Sequence, residues 1–463
     1  MTNRLLVAFC LVLALASTHC SSPQPPSQAP GQDSGKGRPG HPDWSYQAVI
    51  YEVNLRQYST EGTFDAFSRS LPRLKEMGVG ILWFMPINPI GLAGRKNKPS
   101  DLGSYYSVRD YRAVNPEFGT LNQWKELVQD AHRMGFHVIQ DWVPNHSSPD
   151  NPWITNHPSF YKLDSSGKPM TPYDWTDTRK LNYDNPELRD SMLSAMVFWV
   201  KATGIDGFRC DVAGDVPDDF WKWAIDSLRQ IKPLFMLAEG NKPSLHQDGF
   251  DATYPWDVMA VAYGIASGKT RVDQLDSVIR MDYARFPGDA LRMYYTTNHD
   301  ENSWNGTEFE RFGAGSKTFA VWAFTMGQSV PMIYSGQEEP NRKRLKFFVK
   351  DSIAWKHYSL ASFYQSLCKM RLSTPALAAD AEFVKLNLTR DDGAIFAYLR
   401  RKEGHRFLVV LNFSGKKQSF RLDGNLWTGK ARDAFNSSNL NLDSGHQFQL
   451  APWGWQLYNY DAP

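Results

Sequence analysis

Eight short runs rich in β-branched and aromatic residues alternate with amphipathic stretches from residue 48 onward. This alternation constrains the fold more than any other feature of the chain. The runs are AVIYEVNL (48–55), VGILWFMPI (79–87), FHVIQDWV (136–143), IDGFRCDV (205–212), LFMLAE (234–239), GFDATY (249–254), MYYTTN (293–298) and VPMIYSG (330–336). Helical periodicity lies between them, over 65–77, 121–134, 187–202, 217–231 and 315–327. Parallel strands need crossover helices, so this pattern implies an α/β fold, an eight-stranded β/α (TIM) barrel over 44–374. A doubly wound open sheet is the alternative, but no glycine-rich fingerprint follows the first run.

Two stretches break the pattern. Residues 147–185 are rich in Pro, Ser, Asp and Asn with scattered aromatics. A loop this long is usually functional, and it is expected to form a small lobe inserted after strand 3, beside the barrel mouth. From about residue 375, short alternating runs such as AIFAYLRR, RFLVVLNF and WGWQLYNY meet turn signals such as DDG and FSG. They imply a C-terminal antiparallel β-sandwich domain over 375–463.

The first 43 residues are expected to lie outside the fold. Arg4 precedes an apolar run from Leu5 to Ala16, too short to span a bilayer, so 1–20 read as an export signal. STHC, ending at Cys20, loosely resembles a lipoprotein processing site, which makes Cys20 a candidate for a lipid anchor. Residues 21–43 form a flexible tether: five Pro and four Gly within 21–40, and no large apolar side chain there, cannot build a core. The expected location is therefore outside the cytoplasm, either periplasmic or as a membrane-anchored lipoprotein at the cell surface. Cys210 and Cys368 remain in the body, without a disulfide framework or zinc spacing. A net charge of +2 gives no electrostatic case for a nucleic-acid partner. The 16 Trp, 20 Tyr and 27 Phe are mostly core material, yet they also suit a ligand with flat apolar faces, such as a sugar ring.

In a β/α barrel, polar groups at the C-terminal strand ends meet above a packed interior. Four strand ends here carry such groups. The third gives Asp141, Asn145 and His146, the fourth Arg209 and Asp211, the fifth Glu239, and the seventh Asn298, His299 and Asp300. A single carboxylate at a strand end is more often a turn or helix cap than a catalyst. Four matching ends are hard to explain by capping alone. Metal binding by the same set is the rival reading, but the set contains no His-x-His or His-x-x-x-His pair, and Arg209 would repel a cation. Arg209 and Asp211 share one strand face, where the guanidinium favours an ionised carboxylate.

DWVPNH, GFRCD, the glutamate of LAEG, and TNHD resemble, in order, the four signature regions of the α-amylase family, glycoside hydrolase family 13. YSVRDY (106–111) and NPEFGT (115–120) match the segment after the second strand, and the resemblance runs from 46 to 460. It implies that Asp211 is the nucleophile, Glu239 the acid and then the base, and Asp300 a group that binds sugar hydroxyls and favours the distorted ring. His146 and His299 would hydrogen-bond that sugar and Tyr106 would stack on it. Glu239 would need a raised pKa, which an apolar strand and two nearby carboxylates supply. The implied activity is retaining hydrolysis of α-1,4 bonds in an α-glucan partner such as starch, glycogen or maltooligosaccharides. A transglycosylase or glucosyl isomerase of the same family is the alternative, and an inactive glycan-binding lipoprotein the more distant one.

The chain departs from the family at two places. Gly214 and Asp215 stand where many α-amylases have Lys-His, side chains that face the leaving group. The family pattern also includes calcium between barrel and lobe, ligated by the asparagine at 145, by a lobe aspartate that aligns with Lys180, and by the carbonyl of the histidine that aligns with Asp215. An ammonium there would repel calcium, so no metal and no other cofactor is expected, and Lys180 is expected to reach Asn145 and Asp215 instead.

Overall fold

The computed structural model describes residues 40–95, 100–390 and 393–460. The export signal, Cys20 and all but the last residues of the tether lie outside these.

Eight parallel strands form one sheet: β1 Ile50–Val53, β2 Ile81–Phe84, β3 His137–Trp142, β4 Gly207–Cys210, β5 Phe235–Ala238, β6 Ala252–Thr253, β7 Leu291–Arg292 and β8 Met332–Tyr334. Their spatial order is β8-β1-β2-β3-β4-β5-β6-β7. The two ends of that order meet. Arg292 bridges Ser329 in parallel, and the Val330 and Met332 amides donate to the Arg292 and Tyr294 carbonyls, each at 2.9 Å. The sheet is thus curled into the expected barrel, its two end strands joined to each other.

The period-two alternation decides what lies inside. Ile50, Ile81, Trp83, Ile139, Leu237 and Met293 fill the barrel. Residues of opposite parity, such as Phe84, Val138, Phe208 and Cys210, pack outward with Trp124, Trp199 and Trp221 of the surrounding helices. In β4 this leaves Arg209 facing inward. Gly207 begins that strand because a Cβ there would lie 1.8 Å from the Phe235 carbonyl oxygen of β5. Local chemistry fixes the crossovers. Helix Leu121–Arg133 starts on a Thr120–Gln123 capping box, and helix Pro186–Thr203 starts on Asn185 and ends on Gly204 at φ 76°.

Two expected elements differ in detail. The helix expected over 65–77 is two, Phe64–Ser68 and Leu71–Met77, because Pro72 cannot continue a helix but suits the first turn of a new one. The seventh strand, expected over 293–298, forms its ladder at Leu291–Arg292. Residues 293 and 294 still bond to both neighbours, but Asn298 turns away to accept the Glu301 amide at 2.7 Å.

Within 147–185 regular structure is sparse: His146–Ser147 pairs antiparallel with Arg179–Lys180 beside short helical turns. After helix Ala361–Ser373 the chain is all antiparallel, with a six-stranded sheet (Glu382–Leu386, Ile395–Lys402, His405–Asn412, Gly429–Asp433, Asn439–Leu442, Trp455–Tyr460) and a pair, Gln418–Phe420 with Phe448–Leu450. One face of the large sheet and the pair enclose a core of Leu399, Leu408, Phe420, Trp427 and Phe448. The other face packs on the barrel, with Phe413 stacked 4.6 Å from Phe319 of helix Ser316–Thr325. Cys210 and Cys368 are buried free thiols. Among the described residues, no helix is long and apolar enough to cross a membrane.

Candidate active site

The centre of the site is a single buried guanidinium. Arg209 Nη1 donates to Asp141 Oδ1 and to Asp211 Oδ1, each at 3.0 Å, and Nη2 lies 3.0 Å from Glu239 Oε1. Nε donates to the Tyr254 hydroxyl at 3.3 Å, and the group lies 5.1 Å from the centre of the Trp83 ring. Three carboxylates from the ends of β3, β4 and β5 therefore share one cation in a site that water barely enters. Breaking a buried ion pair typically costs about 3–5 kcal/mol where it leaves the other charge uncompensated, as loss of Arg209 would do here.

Backbone bonds hold these ends in register. The Asp211 amide donates to the Trp142 carbonyl at 2.8 Å and the Glu239 amide to the Cys210 carbonyl at 2.9 Å. Val212, directly after Asp211, has φ 43°, a costly left-handed conformation for a β-branched residue. That turn points its amide at Glu239 Oε2, 2.8 Å away.

The carboxyls do not behave alike. Burial, and then the charge of Glu239, pushes Asp211 well above the usual carboxylate range, with Arg209 pulling the other way. Burial raises Asp141 to about 6 despite Arg209. Arg209 thus opposes protonation of Asp211, as the sequence suggests, but burial and the second carboxylate outweigh it. Asp211 and Glu239 are bridged by the one guanidinium, Asp211 on Nη1 and Glu239 on Nη2.

The other candidate residues converge on the same cleft. His299 Nε2 lies 2.8 Å from the Tyr106 hydroxyl and 3.3 Å from Asp300 Oδ2, and its Nδ1 lies 2.5 Å from Glu52 Oε1. Burial opposes charge on this imidazole, but Asp300 and Glu52 hold His299 well above its ordinary range. Burial also pushes Asp300 up, but the His299 charge outweighs it and keeps Asp300 ionised below its usual range. His146 is the opposite case: burial and the Lys180 charge push it down to about 3, so it is neutral. Its buried Nε2 has no protein partner among the described residues, which leaves it available to a ligand hydroxyl. Tyr106, His146, Asp211, Glu239 and Asp300 all line one cavity of about 240 Å³. Arg209 and His299 sit behind it as supports. A larger groove of about 590 Å³, between Trp153 and helix Pro186–Thr203, contains none of these residues.

Several residues here are not evident in the sequence reading. Glu52 had a usable signal, a carboxylate interrupting the apolar run of β1 on the inward face. Trp175 and Phe347, which wall the cavity, come from aperiodic loops that offer no such signal, and Trp304 beside them comes from a single helical turn, Glu301–Asn305, too short to show a period. Among the described residues, no three His, Cys, Asp or Glu side chains are grouped to hold a metal ion. At the calcium position of the family pattern, the Lys180 ammonium donates to Asn145 Oδ1 and lies 3.8 Å from Asp215 Oδ2. It occupies the oxygen a cation would need, so these residues do not fit calcium.

Comparison with known proteins matches residues 46–177 and 171–232 to the model of the alpha amylase catalytic domain, and 387–457 to that of the maltogenic amylase C-terminal domain. Alpha-amylase MalA of Haloarcula japonica is 30% identical over 394 residues, covering 81% of this chain. The chain belongs to the α-amylase family of glycoside hydrolases. Its α-amylase relatives include the maltogenic alpha-amylase of Bacillus acidopullulyticus, 25% identical, covering 84% of this chain and 69% of that protein. The chain spans 56% of the length of the Haloarcula α-amylase. The crystal structure of an alpha-amylase from Lactobacillus plantarum superposes with a TM-score of 0.81 at 28% identity, covering 90% of this chain and all of that one.

Proposed function

We propose that the protein is a retaining hydrolase of α-1,4-linked glucans, with Asp211 as nucleophile and Glu239 as acid and base. The observation that carries this reading is the pair of carboxyls on adjacent strand ends, given different partners within one cavity. Asp211 accepts from Arg209, whereas Glu239 also accepts the Val212 amide. Asp211 would stay with Arg209 as the carboxylate, and Glu239 would carry the proton to the glycosidic oxygen. Asp211 then bonds to the anomeric carbon as the leaving hydroxyl departs, and Glu239 next deprotonates the water that displaces Asp211. Asp300, His146 and Tyr106 would hold the hydroxyls and face of the same ring. The names of the Haloarcula and Bacillus relatives agree with an α-glucan substrate.

Maltoheptaose followed by proton NMR and chromatography tests this. Shorter sugars should appear, the first of them as the α-anomer. An initial β-anomer would overturn the nucleophile assignment, longer sugars would indicate transfer to a sugar acceptor, and no turnover would leave a glycan-binding protein.

We also propose that the enzyme works without calcium, with the Lys180 ammonium joining lobe to barrel through Asn145 and Asp215. Activity and melting temperature should be unaffected by EDTA, while Lys180→Ala should lower the melting temperature. A melting temperature that falls on chelation would show that a metal is required. The leader sequence supports export, with Cys20 as the candidate site of lipid attachment.

A further inference from the structure

Tyr173 is 63% exposed although it is large and aromatic, and its backbone holds φ 52°, a left-handed conformation that costs a non-glycine residue about 1–2 kcal/mol. An exposed tyrosine in a strained turn is expected to wander unless something fixes it. Here its hydroxyl donates to Asp215 Oδ2. Its ring sits 4.6 Å from Trp175, and Trp175 lies 5.3 Å from His146 on the wall of the catalytic cavity. Asp215 is itself anchored. Its amide donates to the Val212 carbonyl at 3.0 Å, within the turn that follows Asp211. The Oδ2 that accepts from Tyr173 is also 3.8 Å from the Lys180 ammonium, which bonds to Asn145, the neighbour of His146. The contacts form a closed circuit: Asp215, Tyr173, Trp175, His146, Asn145, Lys180 and back to Asp215. Two lobe residues therefore meet on one barrel carboxylate four positions past the nucleophile.

We propose that Tyr173 and Trp175 form a stacking wall for a glucose ring adjoining the reacting bond, and that Asp215 is the positioning residue holding this wall to the barrel. The inference rests on the α-glucan reading above and adds a determinant of chain-length preference to it. The apolar C–H face of a pyranose ring suits an aromatic platform, and a platform fixed before binding loses little entropy when the sugar arrives. Lys180 contributes by holding the Asp215 carboxylate in place. Asp215 is otherwise one-third exposed and able to turn toward solvent.

The test compares Tyr173→Phe, Asp215→Ala, Asp215→Asn and the double variant Tyr173→Phe/Asp215→Ala on maltotriose and maltoheptaose. Tyr173→Phe keeps the ring and loses only the bond to Asp215. It should raise KM for maltoheptaose about tenfold more than for maltotriose, without the same change in the ratio of the two kcat values. Asp215→Ala should match it, the double variant should add nothing further, and Asp215→Asn, which keeps an acceptor oxygen, should recover most of the loss. Equal losses on both substrates, additive effects of the two single changes, or unchanged KM values would overturn the proposal. Absence of turnover by the parent enzyme would instead sink the α-glucan reading. Should Asp215→Ala fail to fold, Tyr173→Phe against Asp215→Asn still decides the matter, because neither removes a buried group.

Discussion

Asp211→Asn is expected to lower kcat on maltoheptaose by on the order of 10⁴-fold or more while leaving the fold intact, because the amide cannot form the covalent ester with the anomeric carbon. The stability side of this expectation follows from the charge cluster. Arg209 keeps Asp141 and Glu239 as partners after the change, so no buried cation is left unpaired. Asp211 itself is raised by burial and by the charge of Glu239, so its ionised form is a burden on the folded state. A raised carboxyl pKa means the native state binds more protons than the unfolded chain once pH exceeds the ordinary carboxylate value of about 4. The stability of the parent therefore falls, relative to the variant, as pH rises through that window. Melting temperatures of the two proteins between pH 4 and 8 should show the variant gaining the advantage as pH rises. Retained turnover would place the nucleophile elsewhere.

Glu239→Gln is expected to cost nearly as much on natural glucans, and far less on an aryl α-glucoside with an activated leaving group. General acid catalysis is typically worth about 10²–10⁴-fold, and a nitrophenolate departs without it. The second half of the reaction still lacks its base, so the aryl substrate should give a rapid first release of nitrophenol followed by slow turnover. A small nucleophile such as azide should restore the steady rate, since it attacks without deprotonation. Equal losses on both substrates, with no effect of azide, would remove Glu239 from the acid role.

The barrel was legible because its pattern is redundant. Eight runs and five amphipathic stretches each point to the same architecture, so the displaced ladder at Leu291–Arg292 and the break at Pro72 do not alter it. The reacting groups were legible for a related reason. Asp211, Glu239 and Asp300 sit at strand ends, where position along the chain fixes position in space, and a charge beside an apolar run stands out. Glu52 obeys the same logic within β1, and only its isolation in the sequence hid it. Trp304, Phe347, Tyr173 and Trp175 were not readable as site residues. They arrive on loops or, for Trp304, on one short helical turn, where the direction of a side chain is set by tertiary contacts rather than by periodicity. The balance of charge around Arg209 was also hidden, since it depends on how completely Asp141 and Asp211 are buried and on the charge of Glu239 beside them.

The burial of Arg209 and Glu52, both fully shielded, has a bearing on the medium in which such a site can work. Dissolved ions weaken interactions between charges they can surround, over about 8 Å at physiological ionic strength. They cannot enter between Arg209 and the carboxyls at 3.0 Å, nor between His299 and Glu52 at 2.5 Å. The field that orders these groups is therefore set by the protein and not by the surrounding electrolyte. Brine and dilute buffer should leave the contacts of Arg209, and of His299 with Glu52, in the same arrangement.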